Sequence, residues 1–319
     1  MWYATRGISP ELVLSAMRGA DPMLLLGLSV PAYLAAVYVR GLRWRHLTNP
    51  VEPISRGLLA RGVAVGFMVN NLAPLRLGEI VRCWYVAREA GTSGPAILGT
   101  VILERIIDVV CVMAVAVGAL AIAGLGTEES DFLQRGALLL LPVAVAPLAG
   151  LILIRAAPEW VIAVVLWFAR PFGDRLGGWL ERNLRNFAGG LGALSGGRHL
   201  FWIAFHSVVI WLVLSVIPML AGLLAFDLEL GSLFDTLITS WIVLGAVGVA
   251  VAVPSAPGFL GTYQLAFKAV LERFGVDPST ALALGLLVWL VFWLTLTLAG
   301  LAVLRFRGTS LGELTRHTS

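Results

Sequence analysis

Long apolar runs alternate with short arginine clusters along this chain. The first run, residues 23–39 ("MLLLGLSVPAYLAAVYV"), approaches the ~20 residues that cross a hydrocarbon core, and it ends in the basic "RGLRWRH". Runs over residues 96–125, 136–154, 199–224 and 280–304 read as further spans. Two stretches break the pattern. Residues 58–72 are apolar but short, and the "LRLGEIVRCWYVAREAG" that follows is amphipathic, with Arg76, Glu79 and Arg82 recurring at every third position on one helical stripe. Neither half suits a full crossing. A helical hairpin that enters and leaves on the cytoplasmic side fits both, with Arg56 and Arg61 at its start and Arg88 at its exit. The second stretch, residues 233–253, is apolar until "VPSAPGFLGTYQ" interrupts it, and a short helix over 262–274 follows.

Basic residues on cytoplasmic flanks set orientation, so the cluster after residue 39 predicts an external N-terminus. Before the first span, Ser9 and Pro10 predict the start of a short amphipathic helix, and no signal-peptide pattern is present. Residues 158–198 differ from the rest. With Trp160, Trp167, Trp179, five arginines and many glycines they predict an amphipathic helix on the cytoplasmic surface, preceded by a piece too short to span.

Composition closes off most other classes. The chain is 59% hydrophobic and 13% charged, whereas soluble domains carry about a quarter charged residues, so it is an integral membrane protein. The net charge of +4 reflects arginines at the ends of apolar runs and does not call for nucleic acid. Cys83 and Cys111 form no disulfide or metal pattern, and His46, His199, His206 and His317 show no metal spacing; His206 reads as a hydrogen-bonded core histidine. No Walker A motif, nucleophile elbow or HExxH is found, so no cofactor and no ATP-driven step are expected.

The two interruptions share a pattern. Ala73-Pro74-x-x-Leu77-Gly78 matches Ala256-Pro257-x-x-Leu260-Gly261, and each lies between an apolar arm and a short returning helix. Inverted repeats with discontinuous helices at their interface are a transporter signature. The expected fold is therefore all-α: one transmembrane domain over residues 1–319 with two re-entrant helical hairpins in an inverted repeat. The first repeat covers about 23–125 and the second about 199–305. A connecting span and surface helix over 136–198 lie between them. The expected hairpin breaks comprise Asn71, Pro74 and Gly78 in one repeat and Pro254, Pro257, Gly258 and Gly261 in the other. Irregular backbone at membrane depth must be buried or line a cavity. Asn70 and Asn71 are expected to cap the carbonyls of the first arm. The amides near Gly78 are expected to be free for an anion, and Ser255 and Thr262 to satisfy backbone at the second break.

Charge lies within the apolar runs as well. Glu104 and Asp108, four apart, share a helix face, and Arg105 points about 100° away. An ionisable residue at membrane depth costs about 2.5–3.5 kcal/mol on insertion scales, so such groups pair, line water or meet a polar ligand. Ion pairs of Arg76 or Arg82 with Glu104 or Asp108 are expected. Two roles stay open: the charges lock the hairpin against its neighbour, or an arginine binds an anionic headgroup, whose oxygens its planar fork matches. Gln264 and Lys268 are the polar counterparts after the second break, and Lys268 also fits a snorkelling role. Glu104 and Asp108 are the only acid–base pair that suggests an intramembrane enzyme.

In order along the chain, "RGLRWRHL", "NNLAPLRLGEIVR", "ILERIIDVV" and "PSAPGFLGTYQ" resemble the family of the lysylphosphatidylglycerol synthase transmembrane region, also called flippase-like or UPF0104. The family includes the flippase domain of the multiple peptide resistance factor. The resemblance covers about residues 10–307. It places the Gly-Glu-x-x-Arg motif on Gly78, Glu79 and Arg82, Glu-Arg-x-x-Asp on Glu104, Arg105 and Asp108, and Pro-Gly-x-x-Gly on Pro257, Gly258 and Gly261. Two departures are a Gln264 where relatives often carry Glu, and a start that lacks a further membrane helix. An aminoacyl-transferase domain is also not expected.

The resemblance implies a non-enzymatic carrier that moves an anionic lipid between leaflets of a bacterial or archaeal inner membrane. The lipid would be a phospholipid or a polyprenyl-phosphate-linked sugar, and a homodimer is implied. The substrate-binding set is expected among Arg76, Glu79, Arg82, Glu104, Arg105, Asp108, Gln264 and Lys268. The alternative is a non-transporting scaffold that assists a separate lipid- or glycan-modifying enzyme.

Overall fold

The computed structural model describes residues 8–49, 52–122, 146, 149–150, 153–154, 156–190, 197–228, 230–252 and 256–307. Every regular element among them is a helix. In order they are α1 (Pro10–Gly19), α2 (Pro22–Thr48), α3 (Arg56–Leu72), α4 (Gly78–Ala90), α5 (Gly94–Ile122), α6 (Pro158–Ala169), α7 (Asp174–Gly190), α8 (Gly197–Val208), α9 (Ile217–Ala225), α10 (Leu233–Ala252), α11 (Thr262–Leu271) and α12 (Pro278–Arg307). A π-helical turn, Val209–Leu214, joins α8 to α9 in one continuous rod. Five helices are long and apolar enough to cross a membrane: Pro22–Thr48, Ala96–Ile122, Gly197–Ala225, Leu233–Val251 and Pro278–Phe306. The chain is thus a multi-pass membrane protein.

Helix starts follow local chemistry. Ser9, Asp21 and Asp277 each precede a proline and cap the helix it begins. The Asp21 carboxylate accepts from the amides of Met23 (2.8 Å) and Leu24 (3.1 Å), and Asp277 accepts from Ser279 (2.9 Å) and Thr280 (3.1 Å). The expected N-terminal helix, the short 158–169 piece and the amphipathic α7 are all present. The expected connecting span over 136–154 lies almost wholly outside the described residues, as do Pro254 and Ser255.

The first span departs from expectation. It does not stop at residue 39 but runs on to Thr48, carrying the basic cluster inside the helix. Arg40 and Arg43 are buried, at 7% and 0% exposure, because the carboxylates of α5 lie opposite them; only part of the cluster is left to mark a membrane face. Helix contacts are close where small residues permit. A Cβ on Gly41 would fall 2.7 Å from the backbone of Ala60, and one on Gly300 would fall 2.9 Å from the Ala64 carbonyl, so α2 and α12 both pack directly on α3.

Candidate functional site: two helix breaks around a charged cavity

Both interruptions are real breaks, and their backbones follow one path. Ala73 and Ala256 are extended, with ψ of 147° and 156°. The third and fourth residues of each motif are left-handed: Leu75 and Arg76 at φ 61° and 55°, Gly258 and Phe259 at 65° and 63°. The breaks also touch. The Arg76 guanidinium donates to the carbonyl of Val251, at the end of α10, and lies 5.5 Å from the centre of the Phe259 ring. Arg76 and Phe259 hold the same place in the two motifs.

The last span fastens both breaks. Trp289 donates its indole N–H to the Gly258 carbonyl at 2.6 Å, and Trp293 donates to the Asn71 carbonyl at 3.1 Å. Asn71 answers through its amide, which donates to the Trp293 carbonyl (3.2 Å) and to Thr297 Oγ1 (3.1 Å). These bonds satisfy carbonyls that the broken helices leave open. Two local expectations are corrected. Neither asparagine caps the carbonyls of the first arm: the Asn71 amide is spent on α12, and Asn70 Oδ1 accepts from the Gly78 amide at 2.8 Å, so Asn70 caps α4 and that amide is not free for an anion. Gly78 lets α4 pack closely on α3, since a Cβ there would collide with the Gly66 carbonyl. At the second break Thr262 donates its hydroxyl to the Phe259 carbonyl at 2.9 Å.

Beneath the first break lies a buried charge cluster. Arg43 donates to Asp108 (2.7 Å), Glu104 (3.1 Å) and Ser207 (3.1 Å); Arg40 donates to the other Asp108 oxygen at 3.1 Å. Arg82 pairs with Glu104 at 3.2 Å, as expected, with its guanidinium 4.8 Å from the Trp44 ring centre. Arg105 does not stay on its own side of α5: its long stem folds back to Glu104 (3.0 Å) and Asp108 (2.9 Å), with Glu79 at 3.9 Å. Trp211, in the π-helical turn, donates to Asp108 at 3.0 Å. Five arginines meet three carboxylates here, an excess of two positive charges. Arg76 alone among these arginines has no carboxylate within 4 Å in the described residues.

Above the cluster is a cavity of about 260 Å³. Its polar lining is Arg40, Asn70, Arg76, Glu79, Arg105 and Asp108; most of the rest is apolar and includes Val112, Met113, Leu214, Met219, Leu244 and Val247. The Nε atoms of Arg76 and Arg105 are buried and have no acceptor among the described residues. The expected site residues therefore separate. Arg76, Glu79, Arg105 and Asp108 reach the cavity. Arg82 and Glu104 lie under it, nine-tenths or more buried in ion pairs. Gln264 and Lys268 do not reach it: Gln264 Oε1 accepts from the Gly261 amide at 2.7 Å, and Lys268 pairs with Glu272 at 3.1 Å.

Sequence reasoning missed Arg40, Arg43, Trp211, Trp289 and Trp293. Helical spacing held the signal for two pairs, since Arg40 and Arg43 continue the buried stripe of Ala36 and Val37, and Trp289, Trp293 and Thr297 fall on one face. His206 is the hydrogen-bonded core histidine expected, its Nδ1 lying 2.6 Å from the Trp202 carbonyl. His46 stacks on it with ring centres 5.6 Å apart, and His46 in turn meets His199, Nδ1 to Nδ1 at 3.3 Å. No group of three or more metal-ligating side chains is placed to hold an ion among the described residues.

The arrangement defines a polytopic helical membrane protein built around a mostly apolar chamber with a charged patch in its wall. Comparison with known proteins names the class more closely: the chain belongs to the lysylphosphatidylglycerol synthase TM region family, whose pattern matches residues 1–300. It is 24% identical over 320 residues to a UPF0104 membrane protein of Methanothermobacter thermautotrophicus, a match covering 96% of this chain and 92% of that one. It is 25% identical over 306 residues to the glycosyltransferase AglD of Haloferax volcanii, covering 88% of this chain but 48% of AglD, so it spans about half the length of that relative. No solved structure matches the chain.

Proposed function

We propose that this protein carries an anionic lipid between the leaflets of a prokaryotic cytoplasmic membrane, holding the headgroup in the cavity beside Arg76 while the tails stay in apolar surroundings. The observation that carries this reading is a cavity whose lining combines charged groups, among them an arginine with no carboxylate within 4 Å, with a largely apolar wall. An amphiphile fits both. A phosphate oxygen would satisfy the buried Nε–H groups of Arg76 and Arg105, forming charge-assisted bonds that a neutral headgroup cannot form. Arg43, Arg82 and Glu104 act as a brace that fixes the cavity floor. Binding and bracing, alternatives on sequence grounds, are divided among different residues of one cluster.

The shared backbone path of the two breaks, and the contact of Arg76 with its positional counterpart Phe259, support an inverted repeat whose pseudo-two-fold axis passes between these side chains. Each break is then the tip of a re-entrant hairpin, and the whole chain forms one transmembrane domain.

The test is leaflet exchange in vesicles containing the purified protein, with labelled phosphatidylglycerol and a labelled polyprenyl-phosphate sugar. Arg76→Gln is expected to reduce exchange of either active lipid at least tenfold without shifting the thermal midpoint by more than a few degrees, and Arg76→Lys to restore part of it. Exchange no faster than in empty vesicles for every anionic lipid tried would sink the carrier reading. A second reading then stands, that of a scaffold serving a lipid- or glycan-modifying enzyme. It is favoured by the match to half of a relative named a glycosyltransferase.

A further inference from the structure

A second hollow lies on the outside of the bundle, away from the charged cavity. It is a groove of about 620 Å³ between α2 and α12, closed at one end by α1. Its walls are apolar apart from Thr295, and include Met17, Leu26, Val30, Leu34, Leu294 and Leu298. Four of these leucines are 42–59% exposed, so the groove opens outward along its length.

Its length and ends fix what fits. Along α2 the lining runs from Pro22 to Leu34, which at 1.5 Å per residue is about 18 Å. Half of a ~30 Å hydrocarbon core is about 15 Å, so the groove covers the depth of one leaflet. The closing helix marks the headgroup level. α1 carries Glu11, Ser15 and Arg18 among exposed Leu12 and Leu14, as interfacial helices do. It is tied to the ends of two spans, through Ser9 N–H to Ser279 Oγ (3.2 Å) and Asp21 N–H to the Ala225 carbonyl (2.8 Å). Arg18, next to the lining Met17, is exposed in the last turn of α1 and has no ion-pair partner among the described residues.

The geometry points to a binding site for one chain of an anionic phospholipid, its tail in the α2–α12 groove and its headgroup at Arg18, distinct from the transport cavity. A second copy of the protein fits less well. Helices associate in membranes through small residues that let backbones touch. Here the rim is leucine and the centre is hollow. A flexible chain fills such a shape, and a rigid helix does not. This inference is independent of the proposed transport activity.

The experiment counts retained lipid. The protein is reconstituted into vesicles of phosphatidylglycerol and phosphatidylethanolamine, re-extracted in mild detergent and weighed by native mass spectrometry. Wild type is expected to keep at least one phosphatidylglycerol per chain, one of them in the groove. Val30→Phe and Leu294→Trp fill the groove from opposite walls, so one remains informative if the other fails to fold, and each is expected to lose that lipid. Arg18→Gln, which fills nothing, should lower the preference for phosphatidylglycerol about fivefold. Filling the groove in an Arg76→Gln background, where the charged cavity is already disabled, should still remove one phosphatidylglycerol, which separates the groove from the cavity. Wild type that retains no lipid, filled variants that retain as much as wild type, or dimers that fall apart when the groove is filled would each overturn the assignment, the last by giving the groove to a second copy.

Discussion

The two breaks share six residues of pattern and one backbone path, yet different chemistry holds them. At the first, Leu75 and Arg76 adopt left-handed angles despite carrying side chains, and the segment rests on buried ion pairs. At the second, Gly258 takes the corresponding angle freely, and indole and amide groups satisfy the backbone. Charge is concentrated on one side of an otherwise matched pair. A structure needing only two braced tips could have braced them alike. The asymmetry fits the proposed binding site, in which one break would supply counter-charges for a ligand while the other supplies an aromatic surface, Phe259, against which Arg76 is held.

The largest expected effect lies under the first break. Arg43 is fully buried and donates to both Glu104 and Asp108, so Arg43→Leu leaves buried carboxylates short of a partner and should cost about 3–5 kcal/mol. After the second break, Lys268 is buried but pairs i,i+4 with Glu272, which is 36% exposed, so its loss strands no carboxylate in the interior and Lys268→Leu should cost less than about 1 kcal/mol. Thermal midpoints in detergent compare the two. Equal losses would mean that the first cluster is no more structural than a surface pair.

Next comes the second break itself. A Cβ at Gly258 would stand 2.8 Å from Trp293 Cδ1 and 3.2 Å from the Asn71 carbonyl, on a backbone at φ 65°. Gly258→Ala must push the indole away from the carbonyl it serves, so crowding adds to backbone strain, for an expected loss of about 2–3 kcal/mol. Trp293→Phe removes only the indole N–H, leaving the Asn71 carbonyl short of a donor at a cost of about 1–2 kcal/mol. If both variants melted like wild type, α12 would not be the element that fastens the breaks.

How much of this was legible beforehand follows from range. Helix breaks are written locally, in prolines, glycines and lost periodicity, so "APLRLG" and "APGFLG" gave away both interruptions. Charges embedded in apolar runs likewise marked Glu104, Arg105 and Asp108. What stayed hidden needed partners distant in sequence. Arg40 and Arg43 look like a topology signal until α5 is seen facing them, 61–68 residues away. Trp289 and Trp293 look like interfacial anchors until the open carbonyls of two broken helices are found beside them. The division of the cluster into cavity lining and floor depends on burial differences among neighbours such as Arg76 and Arg82, which no spacing encodes.

The smallest effect is the most specific to the comparison. Leu75 holds the position of Gly258 and nearly its backbone angle, at 61° against 65°, but nothing in its surroundings demands a side chain: it is 75% exposed. A left-handed angle costs an ordinary residue roughly 1–2 kcal/mol, and a glycine there recovers that strain while adding about 0.5–1 kcal/mol of disorder to the unfolded chain. Leu75→Gly should therefore be neutral to stabilising, by up to about 1 kcal/mol, where Gly258→Ala is strongly destabilising. The two positions would then respond with opposite signs although their backbones match. A midpoint lowered by Leu75→Gly would show that the leucine itself makes a contact the first break depends on. A raised midpoint with slower lipid exchange would show that the strain at Leu75 and Arg76 serves to keep the guanidinium aimed across the cavity.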